Sequence, residues 1–374
     1  MTGGSLYTLI GAEVSLYSGK ARAYLRHKRI PFREVLATKE VIDTVVKPRT
    51  GLRMVPVVIS DDDVAVQDTT AIIDFCEARF PARPVYPATP CQRLAALLLE
   101  VYGDEWLLLP AMHYRWHYKR DNFLFIARAF GELLAPNAPS MLHPAAGLPL
   151  AAYFGGAYGP ALGVTPRNRG AIEARYLEFL DAFDRHLEVH PYLLGERPSL
   201  GDFGFMAPLY AHLYRDPHPG RLMRRRAPNV AAWVERMNEA VDTPGGLAAN
   251  DTVPATLDPI FRNLFEEMWP VMEATAREVD RWAEGRPAGS RAPRFVGRHP
   301  FWIRGRRATR AAQSFTQWML QRPLAYYRSL DGAERQAVDT WLSRVGGREA
   351  MQLQVQSGLE RRDDNRLYTV EAAP

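Results

Sequence analysis

Cysteine is scarce in this chain: 374 residues include two, Cys76 and Cys91. Cys76 falls inside an apolar helical pattern and Cys91 follows Pro90. That excludes a disulfide framework and makes a reducing cytoplasm the expected compartment. Long hydrophobic runs are missing as well. No stretch approaches the ~20 apolar residues that cross a bilayer, so no membrane is expected as a partner. Met1 to Gly11 lacks the basic, apolar and small-residue regions of a secretory signal. Lysine is rare beside arginine, and the formal net charge is only +5. The densest basic stretches are Arg221 to Arg226 and Arg304 to Arg310. Neither comes with a nucleic-acid motif. Arg224, Arg225 and Arg226 read as a solvated helix end before Ala227-Pro228, and no nucleic acid is expected as a partner. No heptad pattern persists and no internal repeat stands out.

What is present is enough chain for two or more domains at the usual ~100–200 residues each. The first eighty residues are the most ordered in pattern. Leu6 to Ile10 reads as a buried strand, and Ser15 to Gly19 as a loop. A helix is expected from Lys20, with Ser18 placed to cap it and Ile30-Pro31 ending it. Phe32 to Leu36 reads as a second strand. Lys39 to Val46 reads as a short helix stopped by Pro48. Val55 to Ile59 is a strand with a proline near its start. Asp61-Asp62-Asp63 turns the chain back into Val64 to Val66. Gln67-Asp68-Thr69-Thr70 opens a helix carrying Ile72, Phe75, Cys76 and Phe80 on helical spacing. The order β-α-β-α-β-β-α suits an α/β sheet covered by helices.

Val55-Pro56 before a hairpin, followed by Gln67-Asp68-Thr69-Thr70-Ala71-Ile72, resembles the glutathione site of the glutathione transferases. The resemblance implies a cis peptide at Pro56, with Val55 pairing its backbone with the cysteinyl part of glutathione like an added strand. It implies that Asp68 and Thr69, at a helix start, hold the γ-glutamyl carboxylate and ammonium. Ser15-Leu16-Tyr17-Ser18-Gly19-Lys20-Ala21-Arg22 resembles the serine-type loop of the theta and zeta classes. By that resemblance Ser15 is the catalytic hydroxyl, with Ser18 and Tyr17 as alternatives if the loop alignment slips. A free thiol titrates near 8.5, so little of it is thiolate at neutral pH. A hydroxyl donating to sulfur and a nearby helix N-terminus both favour the thiolate. The loop has no cysteine, which argues against mixed-disulfide chemistry.

The remainder reads as helical. Thr89 to Trp116 is long, with Leu94, Leu97, Leu98, Val101, Glu105 and Leu108 along one side and a kink expected at Pro110. Trp106, Met112, His113 and Trp116 either line a pocket for the electrophile or form core between helices. His113 and His117 are four apart, but no third ligand has a recognisable spacing, so no metal is expected. Residues 131–170 are rich in proline and glycine and are expected to form a lid or short helices. Ile172 to Leu187 is amphipathic. Ser199-x-x-Asp202, in Tyr192 to Phe203, resembles the capping box before the buried sixth helix of the same family, and Asn229 to Met237 matches the helix that follows. Beyond residue 250, Leu257 to Met268 reads as a helix, Glu284 to Arg307 as a link, and helices resume near Ala308. A last helix is capped near Asp331 and stopped at Gly346-Gly347.

The expected fold is an α/β thioredoxin-like N-terminal domain (1–85), an all-α glutathione-transferase C-terminal domain (86–250) and a helical extension (251–374). The expected activity joins the thiol of glutathione, as co-substrate, to a small hydrophobic electrophile. A glutathione-dependent isomerase or dehalogenase, or a non-catalytic binding or assembly protein of the same fold, stays open. A homodimer is expected from the family.

Overall fold

The computed structural model describes residues 6–239, 242–243 and 245–370. The chain divides into two compact units, each drawn from three stretches of sequence.

The first unit comprises Met1–Val85, Pro110–Gly159 and Phe203–Thr243. Its sheet contains β1 (Tyr7–Gly11), β2 (Phe32–Leu36), β3 (Val57–Ile59) and β4 (Ala65–Gln67) in the order β2-β1-β3-β4. β1 and β2 run parallel, joined by helix α1 (Leu16–His27); β3 is antiparallel to both β1 and β4. Helix α2 (Thr69–Arg79) follows β4. Leu9, Ile10, Val57 and Val58 from the strands are buried, as are Ala21, Tyr24 and Leu25 from α1 and Ile72, Ile73 and Cys76 from α2. The β-α-β-α-β-β-α order holds, with two corrections. Helix α1 begins one turn earlier than the spacing suggested, so Ser15 is its N-cap and Ser18 lies in its first turn. Pro48 does not stop the second helical segment. It occupies the first turn of Lys47–Thr50, where a missing N–H costs nothing, and the segment ends at Gly51 with φ 71°.

The helices Leu108–His117, Lys119–Leu134, Pro217–Arg226 and Pro228–Met237 lie wholly or mostly in this unit. Between residues 140 and 161 the chain forms several short helical turns in place of one long connection. Near the proline where a kink is expected, the helical hydrogen bonding changes just upstream, and Pro110 itself lies inside Leu108–His117. The Leu107 N–H bonds back five residues to the Tyr102 carbonyl at 3.0 Å, a widened turn that ends before the proline.

The second unit comprises Tyr86–Leu109, Pro160–Asp202 and Pro244–Pro374. Pro90–Val101, Arg169–Leu187, Trp269–Ala283, Ser314–Ser329 and Gly332–Val345 are its main helices. The last starts after Asp331 and ends at Gly346 with φ 80°, the bounds the sequence suggests, but the Asp331 side chain makes no capping hydrogen bond. The Ser199–Asp202 motif is a variant of the expected box. Asp202 Oδ2 accepts from both the Ser199 N–H and its hydroxyl, each at 2.9 Å, and Oδ1 accepts from the Leu193 N–H at 3.0 Å. The carboxylate reaches back, but the serine donates to it instead of accepting from the helix.

The extension is not wholly helical. The segment expected as a link carries a long hairpin, β5 (Phe295–Ile303) with β6 (Arg306–Gln313). Its two-residue turn, Arg304-Gly305, has positive φ at both positions (47° and 70°), the twist that suits a tight hairpin. Helices resume at Ser314, not Ala308. A second small hairpin joins β7 (Leu359–Arg361) to β8 (Leu367–Thr369). No helix among the described residues is long and apolar enough to cross a membrane.

Candidate functional site

Strand register brings three of the sequence-predicted segments to one end of the sheet. Ile10 pairs with Val57, and Val57 pairs with Gln67. Because β3 runs antiparallel to both neighbours, the loop leaving β1, the residues entering β3 and the residues leaving β4 all emerge on the same side. Neighbouring strands lie ~4.8 Å apart, so Ser15's loop, Val55-Pro56 and Asp68-Thr69 start within about 10 Å of one another.

Each segment has its own local cause. Gly11 lets the β1 end approach α1: a Cβ there would sit 2.8 Å from Ser18 Oγ. The Ser18 side chain is fully buried and accepts from the Ala12 N–H at 3.2 Å, which fixes the loop. Ser15 is half-buried, and its Oγ accepts from the Ser18 N–H at 3.3 Å. Capping uses an oxygen lone pair; the hydroxyl proton is what Ser15 can offer to an acceptor. The first turn of α1 contains no acidic residue to offset the positive end of the helix. Tyr17 is half-buried in that turn.

The Val55-Pro56 peptide is cis. Val55 is half-buried and Pro56 buried. Asp68 is the N-cap of α2, accepting from the Thr70 N–H at 2.9 Å and the Ala71 N–H at 3.4 Å. Its backbone sits at φ 77°, ψ 139°, a region that residues with a Cβ rarely occupy. Thr69 is buried beside it, and the first turn of α2 also has no acid.

The four pocket candidates are interior side chains. Trp106 belongs to the second unit, where its ring meets Phe301 of β5 edge-on at 6.3 Å. Met112, His113 and Trp116 belong to the first unit and are buried there. Trp116 stacks on Phe130 and lies so close to Gly155 that a Cβ there would fall 2.8 Å from its ring. His113 and His117 stack ring on ring at 4.6 Å. Among the described residues no group of three or more His, Cys, Asp or Glu is arranged to hold a metal ion. Both cysteines are buried and unbridged, and burial pushes each thiol up to about 12.

Sequence reasoning passed over the groups that hold the Ser15 loop from outside. Glu13 accepts from the Tyr210 hydroxyl at 2.6 Å through its carboxylate and from Arg215 at 2.6 Å through its carbonyl. The Val14 carbonyl accepts from Arg115 at 2.9 Å. These partners lie about 100 to 200 positions away in sequence, and a tyrosine or arginine within a helical pattern carries no local mark of such a role.

Comparisons with known proteins bear on the two domains. Residues 9–84 match the model described as glutathione S-transferase, N-terminal domain, and residues 166–236 the model described as glutathione S-transferase, C-terminal domain. No curated protein matches the chain. Among solved structures, a glutathione S-transferase from Methylobacterium radiotolerans in complex with glutathione sulfonate is 22% identical, covering 67% of this chain and 100% of that one, with a TM-score of 0.39. FzlA from C. crescentus is 20% identical over 66% of this chain and 97% of its own, with a TM-score of 0.40. The beta-etherase LigF from Sphingobium sp. strain SYK-6 is 17% identical over 62% and 94%, with a TM-score of 0.43. The chain thus carries the N-terminal and the C-terminal domains of the glutathione S-transferase family.

Proposed function

We propose that the protein is a serine-type glutathione transferase in which Ser15 donates a hydrogen bond to the thiol of bound glutathione and favours its thiolate. The observation that carries this reading is the position of Ser15: a half-buried hydroxyl capping a helix start that has no acidic residue, at the end of the sheet shared with Val55-Pro56 and Asp68. Glutathione lies with its cysteinyl backbone along Val55 and its γ-glutamyl end at Asp68 and Thr69. An uncompensated helix end contributes about 0.3–1 kcal/mol to an adjacent anion, and a hydrogen bond involving a charged group about 1.5–3 kcal/mol. Together these lower the thiol pKa by about one to three units at 1.36 kcal/mol each. That range brings a group near 8.5 to neutrality or below.

Ser15→Ala tests the assignment. The bound thiol is expected to titrate at least about one unit higher, with turnover of an aromatic electrophile falling in step and glutathione affinity, read at a pH below the bound thiol's titration, held within about twofold, since a twofold change is only ~0.4 kcal/mol. Unchanged titration and turnover would remove Ser15 from the chemistry and move the assignment to Ser18 or Tyr17. Ser18, buried and bonded to the Ala12 N–H, gives this reading less support than Ser15 does.

A further inference from the structure

The Ser15 loop is held in place by a buried charge pair that the proposed chemistry does not itself use. Arg115 and Asp216 are both buried, with side chains 2% and 0% exposed. Arg115 Nε and Nη2 donate to the two carboxylate oxygens of Asp216 at 2.6 and 2.7 Å. The rest of the guanidinium is directed at backbone: Nη2 donates to the Ala211 carbonyl at 2.9 Å and Nη1 to the Val14 carbonyl at 2.9 Å. One planar fork therefore ties three chain segments together within the first unit.

The Val14 carbonyl matters because it shares a peptide plane with the Ser15 N–H. That N–H donates to the Ala12 carbonyl at 3.1 Å. Both polar atoms of the Val14–Ser15 peptide are thus fastened, and the direction in which the Ser15 side chain leaves the backbone is set. A buried ion pair is weak evidence for stability, because desolvation of the two charges offsets their attraction. What this pair supplies that an apolar pair could not is a donor aimed at one carbonyl, next to the residue whose hydroxyl must point at a sulfur atom.

We propose that Arg115, oriented by Asp216, is the positioning residue for Ser15. The proposal rests on the reading of Ser15 as the thiol-activating hydroxyl. Lysine in place of Arg115 keeps the charge but loses the fork. It can serve Asp216 or Val14, not both in the observed geometry. Misplacement of a reacting group by about 1 Å costs up to about a hundredfold in rate.

The test is R115K, with the apolar double variant R115M/D216L beside it, which removes both charges together so that neither is left buried alone. Three quantities are read: the titration of bound glutathione's thiol by its ultraviolet absorbance, kcat for an aromatic electrophile, and KM for glutathione. Both variants are expected to raise the thiol pKa by about one unit and to lower kcat about tenfold or more, with KM for glutathione within about twofold, a change of only ~0.4 kcal/mol. A purely structural role would lower the melting temperature without moving the thiol pKa of the folded fraction. Wild-type thiol pKa and kcat in either folded variant, alongside a defective Ser15→Ala, would overturn the proposal and leave Ser15 in place. An unaffected Ser15→Ala would instead overturn both.

Discussion

Asp68→Gly separates what the fold needs at the start of α2 from what a ligand needs there. Asp68 stands at φ 77°, ψ 139°, where a residue with a Cβ is strained by about 1–3 kcal/mol. Glycine removes that strain. Against it stand the lost cap, only a few tenths of a kcal/mol when glycine is the replacement, and the extra freedom of glycine in the unfolded chain, about 0.5–1 kcal/mol. The balance runs from about neutral to about 2 kcal/mol more stable than wild type. Asp68→Ala gives the contrast: it keeps the strain and loses the cap, and should be less stable by about 1 kcal/mol. Binding moves the other way for the glycine variant. If the Asp68 carboxylate accepts from the γ-glutamyl ammonium, its removal costs a charge-assisted bond of about 1.5–3 kcal/mol. That corresponds to glutathione bound at least about tenfold more weakly. Urea unfolding and glutathione calorimetry on the three proteins decide the matter. A glycine variant clearly less stable than wild type would refute the strain argument. Undiminished glutathione affinity would refute the carboxylate's role.

The cysteines and one histidine give further checks. With both thiols buried and pushed up to about 12, the native protein should not react with an aromatic disulfide reagent until it is unfolded; rapid labelling of either Cys76 or Cys91 would contradict their placement. Burial holds His186 down to about 4 from an ordinary 6.5, partly offset by its hydrogen bond to the Tyr192 carbonyl. The unfolded chain therefore binds the proton first. Stability from this group is present above about pH 6.5 and is lost as pH falls towards 4, by up to about 3 kcal/mol. His186→Gln should flatten the stability profile in that window, and equal slopes in the two proteins would refute the assignment.

The N-terminal elements were legible because strand, turn and helix signals alternate there over short distances. Pro56, Asp61-Asp62-Asp63 and Asp68 punctuate the chain where the structure turns. The Ser15–Ser18 pair shows the limit. Two serines three apart are both plausible caps, and which one caps depends on where the helix begins. The structure gives the cap to Ser15 and uses Ser18 to hold Ala12. In the extension, His299, Phe301 and Ile303 alternate inward along β5. Gly297, Pro300 and the arginines around the turn gave that stretch the composition of a linker, and the strand signal was lost beneath it. The outside grip on the Ser15 loop was not legible at all. Arg115 reaches Val14 only because the fold brings its helix there, and no local pattern records a contact across 101 positions.

A crystal structure of the protein with glutathione tests the central claim most directly. The account predicts the glutathione sulfur within hydrogen-bond distance of Ser15 Oγ, the cysteinyl backbone paired with Val55 and the γ-glutamyl group at Asp68 and Thr69. Glutathione bound with its sulfur facing away from Ser15, or no glutathione beside Val55 and Asp68 at saturating concentration, would contradict it.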